Sequence, residues 1–224
     1  MGIDSSTPQS SVALVKDGRI VDQAEVDVNA TFSNQILALI DKVLVTSGTK
    51  LEDLDGFCLT TGPGSFTGLR VGASVLKGLL LATSKPFVKI DTLEAIALRA
   101  MPINNKICAI LDAKKKEVYT ACFKLRDGDL ERLNPDRAVT PDQLCEEIKE
   151  PTVFVGNGLD SYGALLASRL GENFLPASEV THFTVAACAA RLAEKYFKTD
   201  KCFDLSQLSI KYARKSEAEL RFTK

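Results

Sequence analysis

Two carboxylates stand where phosphate or metal chemistry is possible. Asp4 closes the short run Met1-Gly2-Ile3 and is followed by Ser5, Ser6 and Thr7; Asp112 closes the apolar run from Lys106 and is followed by Ala113 and the lysines Lys114, Lys115 and Lys116. A carboxylate at a strand end, ahead of hydroxyls, can orient a magnesium-bound phosphate or take a proton, and it can equally cap its own turn. For Asp112 turn capping is the simpler reading. Gly156-Asn157-Gly158 follows the apolar run Thr152 to Val155 and either lies flat against a nucleoside or simply joins a strand to a helix. Asp4, Ser5, Ser6, Gly156, Asn157 and Gly158 are therefore the candidate nucleotide-binding residues, with ATP and magnesium as the ligand they would take.

Other chemistry is scarce. His182 is the only histidine in 224 residues, so a Ser-His-Asp triad would have to use it, and no Gly-x-Ser-x-Gly elbow supplies the serine. Cys58, Cys108, Cys122, Cys145, Cys188 and Cys202 form no Cys-x-x-Cys pair and fall mostly in apolar runs, as reduced buried thiols do. No spacing of His, Cys and carboxylates suits a metal. We expect no catalytic and no metal-binding residue. The formal net charge of −1 argues against a free-standing nucleic-acid binder. With no signal peptide and no apolar run long enough to cross a bilayer, the expectation is a cytoplasmic protein without membrane contact.

The most distinctive stretch is Gly62-Pro63-Gly64-Ser65-Phe66-Thr67-Gly68-Leu69-Arg70-Val71-Gly72. It joins the apolar run Gly56 to Leu59, a buried strand, to helical spacing from Leu69 to Ala82. Gly62 and Gly64 permit positive φ or close backbone approach, Pro63 stiffens the bend, and Ser65 or Thr67 can cap the helix. The exposed N–H groups of that helix could hold an anion, but Gly-Lys-Ser and Gly-Lys-Thr are absent, so this is no Walker loop.

The elements that position these groups repeat. Met1 to Thr7, Ser11 to Val15 and Ile20 to Val28 read as three antiparallel strands, the first short for a central strand, as if residues before Met1 had been trimmed. A helix follows from Ser33 to Ser47, capped by Thr31 or Ser33 and stopped by Gly48. After the glycine-rich turn come a strand at Pro86 to Ile90 and a helix from Asp91 and Glu94 to Ala100. The pattern restarts with strands at Lys106 to Asp112, Val118 to Leu125 and Leu130 to Leu133, and a helix from Thr140-Pro141. A helix from Gly158 toward Leu170, another at Val185 to Phe197 capped by Thr184, and a short strand with a charged tail from Ser209 complete the chain. Strand-strand-strand-helix thus occurs twice, in lobes 1–103 and 104–224, as in the two-lobed α/β architecture of the actin, Hsp70 and sugar-kinase class. The first helix carries a broad apolar stripe, and Ser74, Gly78 and Ala82, continued by Gly68 and Gly72, give the second a smooth strip. Together they mark a partner surface, with Phe32, Ile36, Leu39, Val43, Gly68, Ser74 and Gly78 as its expected contacts.

The Gly62–Gly72 stretch resembles the signature of the bacterial TsaB (YeaZ) family, the partner subunit of the complex that makes threonylcarbamoyladenosine in tRNA. Asp112-Ala113-Lys114 with Glu117-Val118-Tyr119 is similar to the family's Asp-Ala-Arg with Glu-Val-Tyr, Lys114 replacing arginine, and Tyr212, Arg214 and Ser216 to Glu219 resemble its C-terminal pattern. The resemblance implies an actin-like fold without catalytic function, a TsaD-type transferase and a TsaE-type ATPase as partners, self-association when alone, and tRNA contact only through the complex. TsaD carries metal-binding histidines on its first helix; Phe32, Ser33 and Asn34 stand there in this chain. An ATP-dependent enzyme of the same fold is the alternative, and a glycoprotease-like peptidase a distant third.

Overall fold

A computed structural model describes residues 1–27, 32–100, 103–177, 182–199 and 202–210. Its first sheet holds β1 (Gly2–Asp4), β2 (Gln9–Lys16), β3 (Arg19–Asp27), β4 (Phe57–Thr60) and β5 (Phe87–Ile90), in the order β3-β2-β1-β4-β5. The second holds β6 (Lys106–Asp112), β7 (Val118–Arg126), β8 (Asp129–Arg132), β9 (Arg137–Val139), β10 (Thr152–Val155) and β11 (Phe174–Pro176), ordered β11-β10-β6-β7-β8 with β9 on β7. Read from opposite edges, the two orders coincide. In each, an antiparallel three-strand meander is extended by two parallel strands, β1 to β4 to β5 and β6 to β10 to β11. The duplication expected from the strand pattern is therefore a duplication of topology. Parallel strands need crossover helices. These are α1 (Phe32–Ser47) and α2 (Phe66–Thr83) in the first half, α4 (Pro141–Glu147) and α5 (Gly158–Leu170) in the second.

The last helix of each half crosses over. α3 (Thr92–Leu98) packs on β6, β7 and β8, whereas α6 (Val185–Lys198) packs on β1, β2, β4 and β5. The layers thus run α1 and α2, first sheet, α3 with α6, second sheet, α4 and α5. Strand alternation enforces this order, since the central strands β1, β4, β6 and β10 are buried on both faces. In β6, Ile107, Ala109 and Leu111 face the shared central layer while Cys108 and Ile110 face α4 and α5. In β4, Cys58 faces inward and Phe57 and Leu59 face α1 and α2. A cut at residue 103 separates the sheets but leaves α3 and α6 each on the other half's sheet.

Ion pairing adds a polar tie across the layers. Arg132 on β8 reaches Asp91, the α3 N-cap, at 2.8 Å and also binds Asp136. Burial, then the hydrogen bond and charge of Asp136, push the Asp91 carboxyl up to about 6, against the opposing pull of Arg132.

Side chains cap the helices at the expected residues, although at α3 Asp91 caps without a reciprocal box from Glu94. Ser65 accepts from Gly68 N–H, Asp91 from Leu93 and Glu94 N–H, Thr184 from Ala187 N–H, and Thr140 and Gln143 form a reciprocal capping box. The short strands β9 and β11 were not expected from the sequence, being only three residues each. The caps expected at Thr31 or Ser33 lie outside the described side chains, and so does the tail beyond Ile210; Ser209 and Ile210 themselves are irregular, not a strand.

Candidate functional site

The Asp4 turn is closed in on itself. Asp4 is fully buried, and its Oδ1 accepts from Ser6 N–H at 3.1 Å, Ser6 Oγ at 2.5 Å and Thr60 Oγ1 at 2.5 Å. Thr7 Oγ1 lies 2.9 Å from Oδ2. Such a shell of short-range donors satisfies a buried carboxylate and leaves it little to offer a metal. Ser5, also fully buried, donates to the carbonyl of Gly68 at 2.8 Å, and Ser65 N–H donates to the carbonyl of Ser6 at 2.8 Å. The glycine-rich turn is therefore the surface on which the first strand's turn is seated. A Cβ on Gly64 would stand 2.3 Å from the Ser6 carbonyl oxygen, one on Gly68 1.9 Å from that of Ser5, and one on Gly72 2.2 Å from Ser5 Oγ. Gly62 alone of these takes a positive φ, +119°.

The second half of the expected nucleotide site has an equally internal explanation. Gly156, at φ +115°, would place a Cβ 2.1 Å from the carbonyl oxygen of Ile110, and Gly158 lies against the same residue. Asn157 accepts from Asp112 N–H at 3.3 Å. Between the lobes, Thr7, Gln9, Arg99, Gly156 and Asn157 border a hollow of about 20 Å³, room for about one water molecule. Asp4, Ser5 and Ser6 do not line it. In this conformation Asp4, Ser5 and Ser6 are engaged by packing and turn geometry, and the hollow that Gly156 and Asn157 border is too small for a nucleotide.

Asp112 acts on its own turn. It accepts from Lys114 N–H at 2.8 Å and Lys114 Nζ at 2.9 Å. Partial burial pulls its carboxyl up, but these bonds and the lysine's charge hold it below the usual range. His182 is exposed, and its carbonyl accepts from Gln23 Nε2. Among the described residues no cluster of three or more His, Cys, Asp or Glu could hold a metal.

The expected partner surface is displaced. Ile36, Leu39 and Val43 lie beneath their own sheet at 0%, 7% and 0% exposure, so they serve the core and not a partner. Gly68 serves the contact with Ser5, as described above. The Phe32 side chain lies outside the described residues. Ser74 and Gly78, by contrast, do line an outward groove, with Leu37 of α1 and Phe66, Val71, Val75 and Leu79 of α2. Its volume is about 740 Å³. Nothing lies within 4 Å of where a Gly78 Cβ would be, and Ser74 Oγ is satisfied by the carbonyl of Arg70. The Arg70 guanidinium stacks on Phe66, 3.9 Å from the ring centre. A shallower hollow of about 430 Å³ continues past Arg70 and Ser74 to Lys77, Leu208 and Ile210.

Helical geometry accounts for both faces. Leu69, Leu76 and Leu80 recur along the side that meets the sheet, and Val71, Val75 and Leu79 along the side that borders the groove. Contrary to the sequence expectation, α2 is long and apolar enough by length and composition to cross a membrane. The excess is the second apolar face, since the first is already spent on the sheet. The sequence reading marked this helix as a partner surface by its small residues Ser74 and Gly78, which line the groove, and not by the Val71, Val75 and Leu79 stripe beside them.

Residues 27–220 match the family model described as TsaD, tRNA N6-adenosine threonylcarbamoyltransferase. The chain is 32% identical over 190 residues to the tRNA threonylcarbamoyladenosine biosynthesis protein TsaB of Escherichia coli K12, covering 80% of this chain and 82% of that one. Among solved structures, a Pseudomonas aeruginosa protein described as similar to peptidase YEAZ superposes with a TM-score of 0.79 at 24% identity, over 95% and 97% of the two chains. The Clostridium difficile activator of 2-hydroxyisocaproyl-CoA dehydratase, solved with bound ADPNP, gives 0.54 at 13% identity over 89% and 96%. The fold is the two-lobed actin-like one expected from the sequence.

Proposed function

This chain belongs to the TsaB (YeaZ) family of tRNA threonylcarbamoyladenosine biosynthesis proteins, and from that membership we propose that it works there as a non-catalytic partner, docking a TsaD-type transferase on the α1/α2 groove. The carrying observation is the second apolar face of α2. It is lined by Leu37, Phe66, Val71, Val75 and Leu79, narrowed by no side chain at Gly78, and large enough to seat an apolar helix face. The residues that could have done nucleotide chemistry are meanwhile engaged with their own turns. In this reading the TsaE-type ATPase joins the assembled pair, tRNA is held by the complex, and the free chain pairs with itself through the same groove.

Co-purification with the TsaD-type subunit tests this. Leu37→Asp and Gly78→Arg place charge or bulk in the groove without entering the core and should abolish the complex; Leu165→Asp, on the exposed face of α5 in the other half, should leave it intact. Unimpaired binding by both groove variants would refute the assignment.

A further inference from the structure

β6 and β7 pair antiparallel with Cys108 directly opposite Cys122. The backbone of Cys122 turns its polar groups away from β6: its N–H donates to Asn134 Oδ1 at 2.7 Å, and its carbonyl accepts from Leu133 N–H at 2.8 Å. The two cysteines are thus a non-hydrogen-bonded pair, the kind whose Cα atoms stand about 4.5 Å apart with side chains at their closest. That separation falls inside the window of roughly 4.4–6.8 Å that a disulfide bridges without backbone movement. Both side chains emerge on one face, in the layer with Val118, Leu144 and Phe154. Cys58 and Cys188 have no cysteine opposite them in this way.

We propose that Cys108 and Cys122 are a dithiol–disulfide site, oxidised by exchange with a small disulfide such as oxidised glutathione. Cys122 is the entry thiol, being 3% exposed where Cys108 is fully buried. Cys108 beside it lowers Cys122 against the pull of burial, helped by Lys106, Asn134 and Arg137, while Cys108, whose Sγ lies 3.2 Å from Thr120 Oγ1, is raised. The Cys122 thiolate attacks one sulfur of the small disulfide, forming a mixed disulfide and expelling one thiolate. Cys108, giving up its proton, then attacks Cys122 Sγ and expels the second. Two electrons and two protons pass from the pair to the reagent, which leaves as two thiols. The bond would close the β6–β7 hairpin covalently around the Asp112 turn. Because both sulfurs lie beneath α4, exchange proceeds through local opening of that short helix, so it is slow compared with an exposed thiol.

The test is incubation of the native protein with oxidised glutathione below its melting transition, followed by peptide mapping without reduction. The expected product is a Cys108–Cys122 cross-link, with Cys58 and Cys188 still free and the melting temperature raised. Cys108→Ser should instead stop at glutathione on Cys122. Should that variant fail to fold, the wild-type map decides alone. Both thiols remaining free in the folded protein, a cross-link that forms only above the transition, or pairing of Cys122 with Cys145 instead would each overturn the assignment.

Discussion

Two glycines of one helix should answer the same substitution with opposite signs. Gly78 lies within α2 with nothing inside 4 Å of its missing Cβ, so Gly78→Ala adds a methyl to open space. The helix gains the difference in propensity, about 1 kcal/mol, or roughly 2–4 °C in Tm for a chain this size. Gly68 gains the same propensity, but its Cβ would stand 1.9 Å from a backbone oxygen, where no side-chain rotation relieves it. Forcing α2 off the Ser5 turn costs about 1–3 kcal/mol by overpacking, and loss of the Ser5 Oγ bond to the Gly68 carbonyl about 1 more. The net for Gly68→Ala is a loss of roughly 1–3 kcal/mol. Urea unfolding of the isolated variants reads both. Docking adds a second sign change: Gly78→Ala should stabilise the free chain yet weaken its complex with the TsaD-type subunit, because a close helix approach has no room for the methyl. A Gly78→Ala chain less stable than wild type would show that this face is already covered. A neutral Gly68→Ala would show that the turn does not rest on α2.

Further outcomes follow from the same contacts. Asp91 is pushed up to about 6 when folded, so the folded state holds its proton more tightly; this contribution is complete at low pH and is lost as pH rises from about 4 toward about 6. On the order of 2–3 kcal/mol of that slope should disappear in Asp91→Asn, which keeps the α3 cap, when urea midpoints at pH 4.5 and pH 7 are compared with wild type. Asp4→Ala strands the donors of Ser6 and Thr60, with the Thr7 hydroxyl left to the Gln9 carbonyl, and should cost about 2–4 kcal/mol, whereas removing a carboxylate held for a metal commonly stabilises a chain; thermal melts give the sign. Gly156→Ala should lower stability by at least about 2 kcal/mol through its clash with Ile110, and Gly128→Ala, at φ +85° in open space, by only about 1.

The elements and their duplication were legible because the signals are local. Alternation in β3, the caps at Ser65, Asp91, Thr140 and Thr184, and the restart at Lys106 depend on residues a few positions apart. Even the need for small residues at Gly64, Gly68 and Gly72 could be seen, though not what they approach. The undecapeptide Gly62 to Gly72 carried most of the family resemblance, with Asp112 to Lys114 and Glu117 to Tyr119 beside it.

What neighbours what could not be read this way. Leu39 and Leu37 are equally apolar, and only the packing of α1 on the first sheet buries one and exposes the other. The seating of α2 on the Ser5 turn likewise leaves Gly68 inward and Gly78 outward on a single helix. Asp4 looks the same in sequence whether it holds a metal or its own turn; the hydroxyl of Thr60, brought from another strand, decides for the turn. Cys108 meets Cys122, and Arg132 meets Asp91, only through register and the crossing of α3 to the far sheet. Sequence fixes periodicity, and with it the elements; which face of each element is left uncovered is settled when non-local surfaces compete for burial, and the groove here is the face that lost that competition.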